Sequence, residues 1–491
     1  ANGDEIRYTY DTQDRFSISY LKPAGSSEQR LNSYIYNKEG NLCKVINHLS
    51  GKTYELDYDF LDRLMRVRDE SGVCYEYTYD ANNQMIRMFH TDGRAKLTTG
   101  YTYDKDGREK EVRVAGKFTR STDYDNLGRV TKQSFSAENG DTSMSMTYKY
   151  PDAEKNKEYA LPSEMDVQEC SYSYKYDRNG NITEIQRVPH KGSTEKILKD
   201  TFQYDERNQL IRENNAYLNK TVTYSYDAGG NILSKTAYPY TTGSLEGQTG
   251  ETVTYSYGDS EWKDLLTAYN GQEITYNAIG NPLNYKNGFT FTWQNGRRLA
   301  TAAANGKALS FAYNESGIRT QKTVDGVTTE YYLDGSTVLA QKTGNNTVWY
   351  YYDCNGTREA LEYGGQVYYY LYNAQGDVMA LYDNDLNIVA EYTYDSWGKL
   401  LSVTGPLAET VGKANPFRYR GYYYDSETEL YYLNSRYYDP ETGRFINADG
   451  YVSTGQGVLG NNMFTYCGNN PVMNKKSEGM QGIDLLYPEG F

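Results

Sequence analysis

The chain is short of the residues on which catalysis, metal binding and disulfide stapling depend. Its 491 residues include three histidines and five cysteines. His48, His90 and His190 are scattered and read as surface or strand residues rather than metal ligands or catalytic bases. Cys43, Cys74, Cys170, Cys354 and Cys467 are odd in number, far apart and never paired as CxxC, so neither a disulfide framework nor a zinc site is implied. No apolar run approaches the roughly 18 residues of a membrane helix, so no membrane span is expected. Residues 1–5 lack the basic and apolar regions of a signal peptide, and the chain reads as a fragment that starts inside a repeat. Basic blocks that could track a phosphate backbone are missing and the net charge is −14, which argues against nucleic acid as a partner.

What the chain has instead is tyrosine: 55 of them, against thirteen phenylalanines and four tryptophans. Hydrophobic residues make up 38% and aromatics 15%, so aliphatic side chains are too few for several thick cores and tyrosine must do the packing. Alignment on tyrosine exposes a recurring phrase: Tyr, any residue, Tyr, Asp, two variable residues, Gly, a polar residue, an aliphatic one. Clean copies occupy residues 101–108, 124–130, 174–182, 224–232 and 392–400. In looser copies Asn37 replaces the aspartate, Asp62 the glycine and Trp293 the second tyrosine. The anchor tyrosines, beginning with Tyr10, Tyr36, Tyr58, Tyr79 and Tyr103, fall mostly 19 to 28 residues apart and mark about seventeen units.

Each part of the phrase has a physical reason. Tyrosines two apart project from one face of a strand, and Tyr and Thr favour half-buried pleated surfaces. The aspartate starts a turn by accepting a hydrogen bond from the backbone two residues on, while the glycine takes positive φ. One repeat is therefore one hairpin. Roughly thirty or more strands, spaced about 4.8 Å apart, make a sheet on the order of 150 Å wide, which strand twist does not allow to stay flat. The expected fold is all-β: a long coiled sheet of consecutive hairpins forming a hollow, barrel-like shell. Its tyrosines should ladder, with hydroxyls facing water or neighbouring acceptors. A propeller with two units per blade is the rival layout. Drift in unit length, and a phrase at every hairpin rather than every second one, favour the coil.

Other motifs have plain readings. Residues 455–460 match GxGxxG spacing, but no strand-to-helix unit surrounds them, and no cofactor is expected. Asp104-Lys105-Asp106-Gly107 imitates the start of a calcium loop, yet Arg108 and Ala115 stand where ligands belong, so it reads as a turn and no metal is expected. No feature brings two repeat aspartates to the separation of a glycosidase pair.

From Asn415 the phrase becomes denser: Asn415-Pro416-Phe417-Arg418-Tyr419-Arg420-Gly421-Tyr422-Tyr423-Tyr424-Asp425, then Leu430-Tyr431-Tyr432-Leu433, Arg436-Tyr437-Tyr438-Asp439-Pro440 and Gly443-Arg444-Phe445. This block closely resembles the core signature that ends the repeat region of Rhs, or YD-repeat, proteins. With the repeats, the resemblance covers nearly the whole chain. It implies a hollow β-shell like that of the insecticidal toxin complexes and the teneurins, with the core block plugging inward. In bacterial members the shell encloses a variable C-terminal toxin. The implied division is a shell over residues 1–414, a core block over 415–480 and a tail over 481–491. The implied partners are a toxin cargo outside this chain and an N-terminal plug or secretion-system component. The implied route runs from the bacterial cytoplasm to secretion or the cell surface. The alternative is a secreted or surface adhesion module that stacks glycans on exposed aromatics.

The resemblance also implies self-cleavage after the core, by two aspartates acting as an intramolecular aspartyl protease; such a pair shares a proton and activates water. Asp449 keeps the first aspartate, with Gly450 where proline is usual, and Arg436 is a further candidate. Asn462, Phe464, Tyr466 and Asn469-Asn470-Pro471 preserve the middle of the pattern. Lys476 and Ser477 stand where the second aspartate and its proline belong, Gly479 survives, and the expected cut lies between Met480 and Gln481. A lysine cannot supply the second carboxylate. Intact mass spectrometry should therefore find residues 481–491 still attached, and their loss would overturn this reading. Lys476→Asp combined with Ser477→Pro should create cleavage.

Overall fold

The computed structural model describes residues 5–22, 25–48, 51–70, 72–91, 96–138, 143–151, 161–167, 170–190, 196–314, 316–450, 461–476 and 484–485. Ser477, Gly479, Met480, Gln481 and the glycine-rich stretch 455–460 lie outside these residues. Among the described residues, strands pair antiparallel with their neighbours in sequence, hairpin after hairpin. A 23-stranded sheet runs from Glu5–Tyr10 to Gln272–Glu273, and a 14-stranded sheet from Thr275–Tyr276 to Leu400–Thr404. Separate four-stranded blades do not occur in this wall, so the coil and not the propeller is the architecture.

The turn chemistry is that of the phrase. Asp104 Oδ1 accepts from the backbone N–H of Asp106 (2.9 Å) and Arg108 (3.0 Å). The same two bonds recur at Asp59, Asp125, Asp205, Asp227 and Asp395. Asparagine supplies the same oxygen at Asn277 and Asn373. Where the glycine is missing, Asp62, Asn83 and Leu386 take positive φ in its place. The aspartate's second oxygen adds a bond that asparagine cannot match in charge: Oδ2 of Asp11, Asp59, Asp104 and Asp125 binds an arginine four residues on.

Apart from Tyr10, which is exposed, the anchor tyrosines are at least partly buried among the described residues. From Tyr58 onward most of these hydroxyls reach back to the preceding hairpin and donate to one backbone carbonyl, among them Tyr79 to Leu64 (3.0 Å), Tyr103 to Met85 (2.6 Å), Tyr226 to Leu210 (2.6 Å), Tyr372 to Arg358 (2.7 Å) and Tyr394 to Val378 (3.0 Å). The accepting residue is the one that opens the return strand, opposite the previous anchor, where a β-bulge breaks the ladder. Leu64 faces Tyr58 and Leu210 faces Tyr204 across such bulges. A bulge frees polar backbone atoms that need a partner, and the next phenol provides it. Trp293, where an indole replaces the phenol, donates through Nε1 to Pro282 O (2.6 Å).

The winding brings the two sheets face to face across a seam. Tyr77 donates to Asp334 Oδ2 (2.8 Å) and Tyr101 to Tyr352 O (2.8 Å), while Phe118 stacks on Tyr369 with ring centres 3.7 Å apart. His90 is wholly buried against Trp349 and Tyr351, and burial pulls its imidazole down to about 3, so it stays neutral. The expected shell is thus present, but its interior is fuller than the sequence implied, because long aromatic side chains meet across it. Residues from 31–77 of one wall and 294–336 of the other line a cavity of about 1090 Å3.

The phenol-to-carbonyl bond should carry measurable stability. Tyr226→Phe removes one such hydroxyl and should lower unfolding free energy by about 1 kcal/mol in urea titration. Tyr217→Phe, at a half-exposed tyrosine, should change nothing measurable. Equal effects from the two would refute the assignment.

Candidate functional site

After Leu400–Thr404 the wall ends in a short helical turn at Ala408–Gly412, and the chain enters the winding. Tyr423–Asp425, Leu430–Leu433, Arg436–Asp439 and Arg444–Phe445 form a separate four-stranded sheet whose residues are all buried. A tyrosine buried on both sides must find an internal partner for its hydroxyl. Tyr431 donates to Gly398 O (2.8 Å), Tyr438 to Trp397 O (2.7 Å) and Tyr419 to Ser396 O (3.2 Å). The Tyr437 and Tyr313 hydroxyls lie 3.0 Å apart, and the Tyr432 hydroxyl accepts from Arg319 N (2.9 Å). Through these bonds the signature tyrosines fasten the block to the wall around it.

The charged signature residues do the same. Asp425 is wholly buried, yet Arg319 (2.6 Å) and Lys322 (3.0 Å) overcome the effect of burial and hold its carboxyl below the usual carboxylate range. The Arg319 guanidinium lies over Tyr432 (4.3 Å) and Tyr423 (4.8 Å), so the cation is met by both an anion and aromatic faces. Asp439 Oδ2 accepts from Tyr285 (2.9 Å) and lies 3.3 Å from Lys286. Arg418 covers Tyr424 at 4.6 Å, and Gly421 O accepts from Arg358 (3.4 Å). Pro440 is buried beside Asp439.

The block also docks on a row of wall turns. Asn470 donates to Asn181 (2.8 Å), and Asn469 to Gln209 (2.8 Å) and Gly230 O (2.7 Å). Asn462 (2.8 Å) and Arg444 (3.1 Å) both donate to Asn231 Oδ1. Asn181, Gln209 and Asn231 stand at the same place in three hairpins, just after the turn glycine or its substitute. Elsewhere that place holds Arg63 or Arg129, folded over the next anchor, Tyr79 (4.8 Å) or Tyr150 (4.5 Å). The three wall residues were missed by sequence reasoning. The replacement of arginine by a side-chain amide is the signal that could have found them. The signal is incomplete, because Asn41 and Gln84 bond only to the next turn.

Asp449 and Arg436 are brought together. Arg436 Nη2 lies 2.9 Å from Asp449 Oδ2, its guanidinium covers Phe445 at 3.6 Å, and Nη1 donates to Met463 O (3.3 Å). Burial pulls Arg436 down to about 10, with Asp449 acting in the opposite direction. Tyr422 fixes the position of Lys476: its hydroxyl accepts from Lys476 N (2.7 Å) and donates to Lys476 O (2.9 Å). Cys467 lies within electrostatic reach of both Arg436 and Lys476. Burial pushes its thiol up to about 12, so it remains protonated at neutral pH. Asp449 is thus paired with an arginine, and Lys476 is held through its backbone. Among the described residues no group of histidine, cysteine and carboxylate side chains is placed to hold a metal.

Comparisons place this architecture among known proteins. The family model described as the teneurin YD-shell matches residues 134–472. The tRNA nuclease WapA of Bacillus subtilis (strain 168) is 32% identical over 430 residues, which cover 84% of this chain and 17% of that protein. The tRNA(Glu)-specific nuclease WapA of Bacillus subtilis subsp. natto is 39% identical over 221 residues, 44% of this chain and 9% of that one. The chain therefore spans only a small part of the curated relatives it matches. Among solved structures, the crystal structure of TcdB2-TccC3-Cdc42 superposes on 98% of this chain and 27% of that chain, with a TM-score of 0.65 at 16% identity.

The fit of block to wall can be tested at one turn position. Gly398 and Gly356 both have positive φ, but an added Cβ at Gly398 would lie 2.3 Å from the Tyr419 ring, while at Gly356 nothing lies within 4 Å. Gly398→Ala should cost about 1–3 kcal/mol more than Gly356→Ala, the range for overpacking, in matched denaturation curves. Equal losses would mean that backbone strain alone is at work.

Proposed function

This chain belongs to the teneurin YD-shell family, and from that premise we propose that it is part of the wall of a bacterial toxin container, which sequesters and helps deliver a C-terminal effector held outside these residues. The mechanism is steric enclosure and not turnover of an external substrate. The observation that carries the reading is the core block, seated inside the winding and bonded to turns of the first sheet and strands of the second. The WapA relatives, whose names record nuclease activity, supply the precedent for an effector enzyme in a protein that includes such a wall. The cavity of about 1090 Å3 is of the size that takes a small molecule, so a folded effector needs more wall than these hairpins provide.

Within the same reading, Asp449 is the surviving member of a self-cleaving carboxylate pair, and Arg436 is the residue that positions it. Their 2.9 Å contact favours this assignment. The adhesion alternative is less well supported, because it needs a rim of exposed aromatics. Among the described residues the tyrosines more than a third exposed are Tyr8, Tyr10 and Tyr217.

Limited proteolysis read by mass spectrometry tests the container reading. Cuts should appear first in the exposed loop 241–250, while residues 415–476 stay with the wall. Early release of the block would overturn the reading, and so would selective, saturable binding on a glycan array.

A further inference from the structure

The seam between the two sheets contains a charge cluster that does not balance. Arg120, in strand Phe118–Tyr124, is surrounded by three carboxylates: Glu109 (2.7 Å) from the adjoining strand, and Asp353 (3.4 Å) and Glu359 (2.9 Å) from the opposite sheet. All four side chains are more than nine-tenths buried. One guanidinium therefore faces three carboxyl groups in a place that water does not screen. A buried charge without a partner is strongly unfavourable, so the cluster cannot hold all three as carboxylates at no cost.

The contacts show where the surplus sits. Glu359 takes two bonds from Arg120, at 2.9 and 3.0 Å, one to each oxygen. Glu109 takes one from Arg120 and one from the backbone N–H of Cys354 (2.8 Å). Asp353 spends Oδ1 on its own turn, accepting from Asn355 and Thr357, and its Oδ2 has only the longest of the arginine contacts. The other titratable groups near the cluster are Cys354, Tyr101, Tyr103, Tyr124, Tyr148, Tyr372 and Arg358. The thiol and the five tyrosines are neutral below pH 8 and compensate no charge. Arg358 donates to Tyr352 and Gly421 O and covers Phe417 at 3.1 Å.

We propose that Glu109, Arg120, Asp353 and Glu359 form a proton-held clasp that keeps the two sheets together, closed while Asp353 carries a proton and loosened when that proton leaves. The bond involved is O–H on Asp353 Oδ2; on opening, the proton passes to water and no other bond changes. Burial, followed by the neighbouring Glu359 and Glu109, pushes Asp353 up to about 7. Its ordinary value lies near 4. The folded seam thus binds more protons than an opened one between those values, and the clasp's contribution is present at low pH and lost as pH rises through about 7. Tyr101, Phe118 and Tyr369 lie along the same seam, so opening there exposes aromatic surface that the closed form buries.

Hydrogen exchange on the intact chain, corrected for intrinsic rates, is the test. Between about pH 4.5 and pH 7 the opening equilibrium of strands Phe118–Tyr124 and Asn346–Tyr352 should rise, approaching tenfold per pH unit, the limit for one proton, and should level off above about pH 7. Strands Thr53–Tyr58 and Leu64–Asp69, which line the cavity away from the cluster, should not follow. Asp353→Asn keeps the turn, since Asn373 and Asn277 already serve there, and should abolish the pH dependence; Glu359→Gln should weaken it. A flat profile in the unaltered chain would overturn the proposal. So would an unchanged slope in Asp353→Asn, or a response to added calcium in place of pH.

Discussion

One hydrogen bond, repeated from hairpin to hairpin, underlies this wall: a phenol hydroxyl given to the carbonyl that the previous β-bulge leaves outside the ladder. The bulge is unavoidable, because the turn that begins with aspartate places one extra residue opposite the opening of the return strand. Its orphaned carbonyl would cost free energy in every unit if it stayed dry and unpaired. Tyrosine is the residue that can pack as a ring against the neighbouring hairpin and still deliver a donor to that atom. Phenylalanine could do only the first. Trp293 shows that the requirement is chemical rather than a preference for one residue, since its indole N–H reaches Pro282 O in the same way.

The abundance of tyrosine follows from this constraint, and so does the scarcity of aliphatic residues. A hairpin whose turn is locked by an arginine–aspartate pair, and which is fastened to its neighbour by a directed bond and an arginine laid over the next ring, needs less oily surface to stay in register. The inner positions then become available for other uses. Where the core block covers them, Leu210, Ile232 and Val378 are essentially inaccessible; where nothing covers them, Leu42 and Leu64 at the same repeat position stay half-buried and line the cavity.

Local chemistry was legible in the sequence and remote pairing was not. Tyr-x-Tyr-Asp-x-x-Gly encodes a strand, a turn and a return strand within nine residues, so hairpins, winding and the absence of blades could all be read from spacing. The density of Arg418, Tyr431, Tyr438 and Arg444 marked a distinct block. What spacing could not supply was the partner of each residue. Tyr101 and Tyr352 meet across 251 positions, and Arg120 and Glu359 across 239, because the coil's pitch decides which hairpins face each other. The proximity of Arg436 and Asp449 came from resemblance. The hold of Tyr422 on Lys476 carried no sequence signal at all.

The docking row has a consequence for how the molecule is built. Asn470 meets Asn181 across 289 positions and Asn469 meets Gln209 across 260, while the same block is bonded to strands near 313 and 398. None of these partners is in place until its own hairpin has formed and the coil has turned far enough to bring the two sheets opposite each other. A chain emerging from the ribosome makes these hairpins before the block. Seating of the block thus depends on the register of the wall: a mis-registered wall would present its turn amides at the wrong spacing, and residues 415–476 would have nowhere to land.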